Sequence, residues 1–235
     1  TSIAEAPKTE TGLPSDAQVL GAVKRTGEAS DIIVCAAGGL PGDLHKLWRT
    51  EQPNGYHLEY GFSCMGYEIA GGLGVKMAKP DREVIVVVGD GSYLMMNSEI
   101  ATTVMLNKKV IIVVLDNRGF GCINRLQRGT GGASFNNLLD DGTFTETGAP
   151  KIDFAAHAKA LGAESESVSS LEALEEALGR ARVASQSYVI AIDTDPYLTA
   201  EGGSWWEVGV PEVSERETVT EAYREQQIAK QKQPY

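Results

Sequence analysis

Residues 84–121, VIVVVGDGSYLMMNSEIATTVMLNKKVIIVVLDNRGFG, decide the fold. Two runs, Val84–Val88 and Val110–Leu115, contain only aliphatic side chains. Uninterrupted apolar runs of that length predict strands buried on both faces of a parallel sheet. Each run ends in a polar corner with glycine: Gly89-Asp90-Gly91-Ser92 after the first, Asp116-Asn117-Arg118-Gly119 after the second. Between them, Asn97–Asn107 predicts a helix with Ile100, Val104 and Met105 toward the sheet. A strand, a helix and a parallel strand make one right-handed crossover, so both corners fall on the same sheet edge. Ligands of open α/β sheets bind at that carboxyl edge. The expected fold is therefore α/β, a doubly wound and mainly parallel sheet with helices on both faces.

The corners have a definite chemistry. Asp90 offers a carboxylate and Asn117 an amide oxygen, hard donors of the kind Mg²⁺ takes alongside phosphate oxygens and water. Glycines let backbone N–H groups approach a phosphate closely, and a helix start adds its dipole. A metal and diphosphate site is the reading these residues favour. A dinucleotide fingerprint would need a third glycine where Leu94 stands, and no Gly-Lys-Ser/Thr loop occurs. Another phosphate ligand, or a fold without one, stays open on this ground alone.

Composition narrows the classes. The chain has 235 residues, 42% of them hydrophobic, and a net charge of −11. No Lys/Arg cluster stands out, which argues against nucleic acid or an anionic membrane as partner. Its apolar runs are strand-length, far short of the roughly 20 residues of a membrane helix. Cys35, Cys64 and Cys122 are widely spaced with no CxxC pair, which fits a reducing cytosol. Residues 1–11 show no signal peptide, and the starting Thr1 suggests a processed or truncated product.

Away from the core stretch, residues 1–13 read as a linker and 14–195 as one domain. A helix starts at Pro14-Ser15-Asp16 and buries Val19, Leu20 and Val23. The strand Asp31–Ala37 ends at Gly38-Gly39-Leu40-Pro41-Gly42, either a backbone cradle for a diphosphate or an ordinary turn. Asp43–Arg49 is a short helix. In residues 61–80, Gly66, Ala70, Gly71, Gly74 and Ala78 would let a helix approach its neighbours closely. Cys122–Arg128 forms a helix with Asn124, Arg125 and Arg128 on its polar face. Residues 129–150 are aperiodic, either a substrate lid or a passive surface loop. Asp153–Leu161 is a helix whose His157 reads as a packing histidine, Ala163–Val168 an edge strand, Leu171–Val183 a helix capped by Ser170, and Ser187–Asp193 the last strand. Residues 196–235 form an extension, with Trp205-Trp206 as an interface or plain packing and a charged helix over Ser214–Lys232.

Gly89-Asp90-Gly91, separated by 25 residues from Asn117, resembles the fingerprint of thiamine-diphosphate (ThDP) enzymes. That family usually carries two adjacent asparagines; Asp116-Asn117 stands here and keeps the second, metal-binding one. The resemblance implies Mg²⁺ held by Asp90, Asn117 and the backbone carbonyl of Gly119. Ser63-Cys64-Met65-Gly66 is similar to the Gly-x-Met-Gly turn of the acetolactate-synthase-like members, whose Met props the cofactor in a bent conformation. Cofactor contacts are accordingly expected at Gly38, Gly39, Ser63, Met65, Asp90, Gly91, Ser92, Asn117 and Gly119. A lone Met is otherwise core filler.

The same resemblance implies that the activating glutamate sits on a pyrimidine-binding domain, on the same protein or another subunit, so no catalytic residue is assigned. It also implies a homodimer or homotetramer and a piece inactive by itself. Four blocks, GYHLEYGFSCMGYEIAGGLGVKMA, GDGSYLMMNSEIAT, DNRGFGCINRLQR and ASFNNLL, look like the branch of the family that hydrolyses a C–C bond of a cyclic polyol diketone in myo-inositol breakdown. Asn124, Arg125 and Arg128 are candidates for gripping that polyol; a solvated helix face is the plainer alternative. A carboligase or 2-oxo-acid decarboxylase would share every cofactor residue, and a non-enzymatic ThDP- or phosphate-binding module would share the fold.

Overall fold

The computed structural model describes residues 11–142, 149–200 and 208–233. The strands are β1 (Ile32–Cys35), β2 (Tyr56–Leu58), β3 (Val84–Gly89), β4 (Ile111–Asp116), β5 (Glu164–Val168) and β6 (Tyr188–Asp193). They form one sheet in the order β2-β1-β3-β4-β6-β5, and every pairing is parallel. Helices α1 (Asp16–Thr26), α2 (Leu40–Leu47) and α8 (Leu171–Val183) cover one face. Helices α3 (Tyr67–Ala78), α5 (Glu99–Met105) and α7 (Phe154–Ala160) cover the other. The remaining helices are α4 (Asp90–Met95), α6 (Gly121–Gly129) and α9 (Glu217–Gln231).

The central strands divide their side chains between the two cores by parity. Ile85, Val87, Ile111 and Val113 join Leu20, Leu44 and Leu174 on the first face. Val84, Val86, Ile112 and Val114 join Ile69, Ile100 and Phe154 on the second. Alternation of that kind, with both faces covered, is why neither run can carry a polar residue. The chain leaves β1 for α2 on one face and β3 for α5 on the other. Strands that part in this way open a crevice at their carboxyl ends.

Several expectations need correction. The helix expected over Asn97–Asn107 is α5, Glu99–Met105, and a further short helix that was not expected, α4, precedes it over Asp90–Met95. The break falls at Met96-Asn97-Ser98, where the Asn97 amide bonds the Tyr93 carbonyl at 3.2 Å instead of continuing the helix. Ile100 is buried as expected, but Met105 is 75% exposed and Thr103 is the other residue that α5 turns inward. β2 is an additional edge strand, half-buried and too short to show a pattern. On α3 the close approach to the sheet is made by Gly72, whose missing Cβ would lie 2.3 Å from Val86 Cγ2. Gly71 is closed by the Tyr67 ring of its own helix, and Gly74 faces open space. Ala70, Gly71, Gly74 and Ala78 line a groove of about 580 Å³ beside Tyr56 and His57. The packing reading of His157 holds, though the residue is exposed: its ring lies edge-on to buried Tyr93 and bonds the Tyr93 hydroxyl at 2.9 Å. Trp205-Trp206 lies outside the described residues.

Candidate functional site

The corners after β3 and β4 stand side by side, because Gly89 is in register with Leu115. Asp90 opens α4 and is buried, and the backbone N–H groups of Gly91 and Gly119 favour its charged form. Burial, and next the charge of Asp116, nevertheless push its pKa up to about 7. Asp90 Oδ1 and Asn117 Oδ1 are both buried and meet no protein donor. A buried acceptor left unmet costs about 1–3 kcal/mol, so a cation between these corners would be welcomed. Among the described residues no three His, Cys, Asp or Glu side chains gather as a metal cage. One carboxylate, one amide and a carbonyl are instead the sparse protein share that Mg²⁺ takes when phosphate supplies the rest. The donor set therefore fits the ion and the diphosphate.

The β4 corner is built tightly. Asp116 Oδ1 accepts the Arg118 N–H at 2.9 Å, which gives the aspartate in the Asp116-Asn117 pair a structural task. Arg118 takes a left-handed φ of 63° and its guanidinium is held by Asp140 at 2.9 Å. Gly119 has φ 139°, and a Cβ there would lie 2.5 Å from the Asn137 carbonyl oxygen, so glycine is required. Residues 130–142 fold back onto this corner: Phe120 N–H donates to Asn137 O at 2.7 Å and Leu139 N–H to Arg118 O at 2.8 Å. A short 3-10 turn at Leu139–Asp141 follows. Residues 143–148 of the expected lid lie outside the described residues.

The turn around Met65 meets the same corner. Met65 Cε sits 3.6 Å from where a Cβ on Gly91 would be, and Phe120 Cε1 2.6 Å from it. Ser63, standing where the family pattern has glycine, adopts φ 51°. Ser92 Oγ accepts the Gly66 N–H at 2.7 Å and donates to Glu68 Oε2 at 2.7 Å. Glu68, 1% exposed, also accepts the N–H groups of Gly66 (3.0 Å) and Ala37 (3.3 Å). Gly38 follows Ala37 with φ 88°, and Gly39 caps α2. The organising part of Glu68 is not visible from residue spacing. Its one signal is an acid inside the otherwise small and apolar run Gly66–Gly74.

The three α6 residues expected to face a polyol, Asn124, Arg125 and Arg128, are engaged within the protein. Asn124 is buried and bonds Ser134 Oγ, with Asp141 Oδ2 at 3.4 Å. Arg125 bonds the Pro196 carbonyl, and its Nη2 covers Gly39 at 2.2 Å from a would-be Cβ. Its charge also holds down Asp16, Asp43 and Asp195, although burial as the larger effect raises Asp16 to about 6 and Asp43 above the usual range. Arg128 is exposed, with its guanidinium 5.1 Å above the Tyr197 ring.

A sheet with crossed-over helices and a cation-ready carboxyl edge defines a cofactor-binding α/β domain. Residues 36–192 match the family model "Thiamine pyrophosphate enzyme, C-terminal TPP binding domain", and the chain belongs to that family. It is 44% identical over 215 residues to a 3D-(3,5/4)-trihydroxycyclohexane-1,2-dione hydrolase of Halalkalibacterium halodurans, covering 90% of this chain and 33% of the relative. A Bacillus cereus protein of the same name is 48% identical over 210 residues, covering 87% and 33%. The chain thus spans about a third of the curated relatives it matches. Among solved structures, benzoylformate decarboxylase from Polynucleobacter necessarius superposes with a TM-score of 0.69 at 23% identity, covering 83% of this chain and 35% of that one. The thiamine diphosphate-dependent 4-hydroxybenzoylformate decarboxylase of Rhodococcus jostii gives 0.68 at 20%, covering 78% and 33%. These two likenesses concern the fold. No helix among the described residues is long and apolar enough to cross a membrane.

Proposed function

We propose that this chain is the diphosphate- and Mg²⁺-holding domain of a ThDP-dependent hydrolase that opens 3D-(3,5/4)-trihydroxycyclohexane-1,2-dione to 5-deoxy-glucuronate in myo-inositol breakdown. The observation that carries the site reading is the pair of buried, unmet oxygens on Asp90 and Asn117 at neighbouring strand ends. The substrate reading is supported by relatives of that name at 44–48% identity across most of the chain.

In this reading Asp90, Asn117 and the Gly119 carbonyl hold Mg²⁺, and the ion carries the diphosphate. ThDP, when bound, supplies a nucleophilic carbon for the ketone and an electron sink for C–C cleavage. Gly91, bare of a Cβ, lets Phe120 and Met65 close over the corner, and Met65 supports the cofactor from the side of the sheet next to β1. Gly38, Gly39, Ser63 and Ser92 complete the lining. Arg128 is the α6 residue left to reach a polyol, while Asn124 and Arg125 hold the loop and the α2 start in place. The activating carboxylate comes from a pyrimidine-binding domain, in a cytoplasmic homodimer or homotetramer.

The test is turnover by the full-length protein supplied with ThDP and Mg²⁺. Hydrolysis of the polyol diketone, with no CO₂ from pyruvate, is the expected result. Decarboxylation of pyruvate without diketone hydrolysis would overturn the substrate assignment.

A further inference from the structure

Three glycine-bearing segments meet at the proposed ThDP site: Ala37-Gly38-Gly39 after β1, the Met65-Gly66 turn before α3, and Gly91-Ser92 at the start of α4. They are far apart in sequence, and one buried side chain touches all three. Glu68 Oε1 accepts the Ala37 N–H at 3.3 Å. Its Oε2 accepts the Gly66 N–H at 3.0 Å and the Ser92 hydroxyl at 2.7 Å. Ser92 closes the ring by accepting the same Gly66 N–H at 2.7 Å. A carboxylate is acceptor-only and can take several donors at once, which suits a site where every neighbour is a donor.

We infer that Glu68 is a positioning residue for the cofactor: it fixes the segments that carry Gly38, Met65 and Gly91 at one mutual spacing without touching ThDP itself. The inference rests on the reading of this edge as a ThDP site. Its chemistry is specific to a carboxylate. A glutamine in its place has one acceptor oxygen and an NH₂ group. In one orientation the NH₂ faces the Ala37 N–H; in the other it faces both Gly66 N–H and the Ser92 hydroxyl. Either way one segment is released from the others while the side chain keeps its volume.

The experiment is titration of ThDP, with Mg²⁺ in excess, into the full-length protein and its Glu68→Gln, Ser92→Ala and double variants, read by calorimetry. Glu68→Gln is expected to weaken ThDP binding by about tenfold, the worth of one charged hydrogen bond. Because the two side chains share one network, the double variant should bind no worse than the weaker single one. Activity lost at limiting ThDP should return when the cofactor is raised in proportion, a recovery that general damage to the fold does not allow. Unchanged affinity in Glu68→Gln overturns the inference, as do single effects that multiply or a loss that excess cofactor leaves in place. Should Gln at position 68 prevent folding, Glu68→Asp, which draws the carboxylate back by one methylene, carries the same test with the same readings. A wild-type protein that binds no ThDP instead overturns the site reading beneath it, and so the two failures are told apart.

Discussion

Asp90 and Asn117 stand at the carboxyl ends of adjacent parallel strands, and each holds a buried side-chain oxygen that no protein donor meets. One is a carboxylate close to the charge of Asp116; the other is an amide whose nitrogen lies 3.0 Å from the Cβ position of Gly121. Folding places both in a costly position, which is the mark of a site shaped for a ligand and not for stability.

Two glycines on α3 make a contrast that tests the packing. A Cβ on Gly72 would press into Val86 of the sheet, whereas one on Gly74 meets nothing within 4 Å. Gly72→Ala is expected to destabilise the chain by about 1–3 kcal/mol through overpacking. Gly74→Ala is expected to stabilise it by roughly 0.5–1 kcal/mol through helix propensity. Urea unfolding of both variants checks this, and equal shifts would contradict the placement of α3.

The Asp31–Arg182 pair ties the start of β1 to the end of α8. Asp31 is buried, accepts the Glu28 N–H at 2.8 Å and bonds the Arg182 guanidinium, which also donates to Thr26 O at 3.0 Å. Arg182→Ala leaves a buried carboxylate without its cation and should cost about 3 kcal/mol. Arg182→Lys should recover only part, because an ammonium cannot reproduce the fork. Thermal or denaturant melting measures both.

Stability should also fall with rising pH in a window set by Asp16. Its carboxyl is raised from 3.8 to about 6, chiefly by burial, against the opposing pull of Arg125. Between those values the folded form keeps a proton that the unfolded chain has released. Stability is therefore fully present below the lower value and declines as pH rises through the upper one, by roughly 3 kcal/mol at most. Asp16→Asn keeps the shape and removes this part of the slope. Parallel pH profiles for the wild type and variant would contradict the assignment.

How legible the molecule was depends on where its information lies. The runs of β3 and β4 could be read because a strand buried on both faces excludes polar residues along its whole length. That the Asp90 and Asn117 corners would be neighbours could be read because each directly follows one of these two strands. β2 could not be read, since three half-buried residues at an edge leave no periodicity. The short helix α4 over Asp90–Met95 was hidden because its six residues are too few to show a helical period, and the Asn97 side chain that bonds Tyr93 O just after it serves a cap as readily as a turn. Glu68 was hidden for a different reason. Its three partners come from separate segments, and only the finished sheet brings them together.

The central claim is most directly tested by calorimetric titration of ThDP into the full-length protein, with and without Mg²⁺, alongside Asp90→Ala. Asp90 is the sole carboxylate in the proposed ligand set, so its loss should abolish the Mg²⁺-dependent part of binding. Wild-type binding that requires Mg²⁺, and none in the variant, is the predicted outcome. Equal affinity in the two proteins would contradict the account.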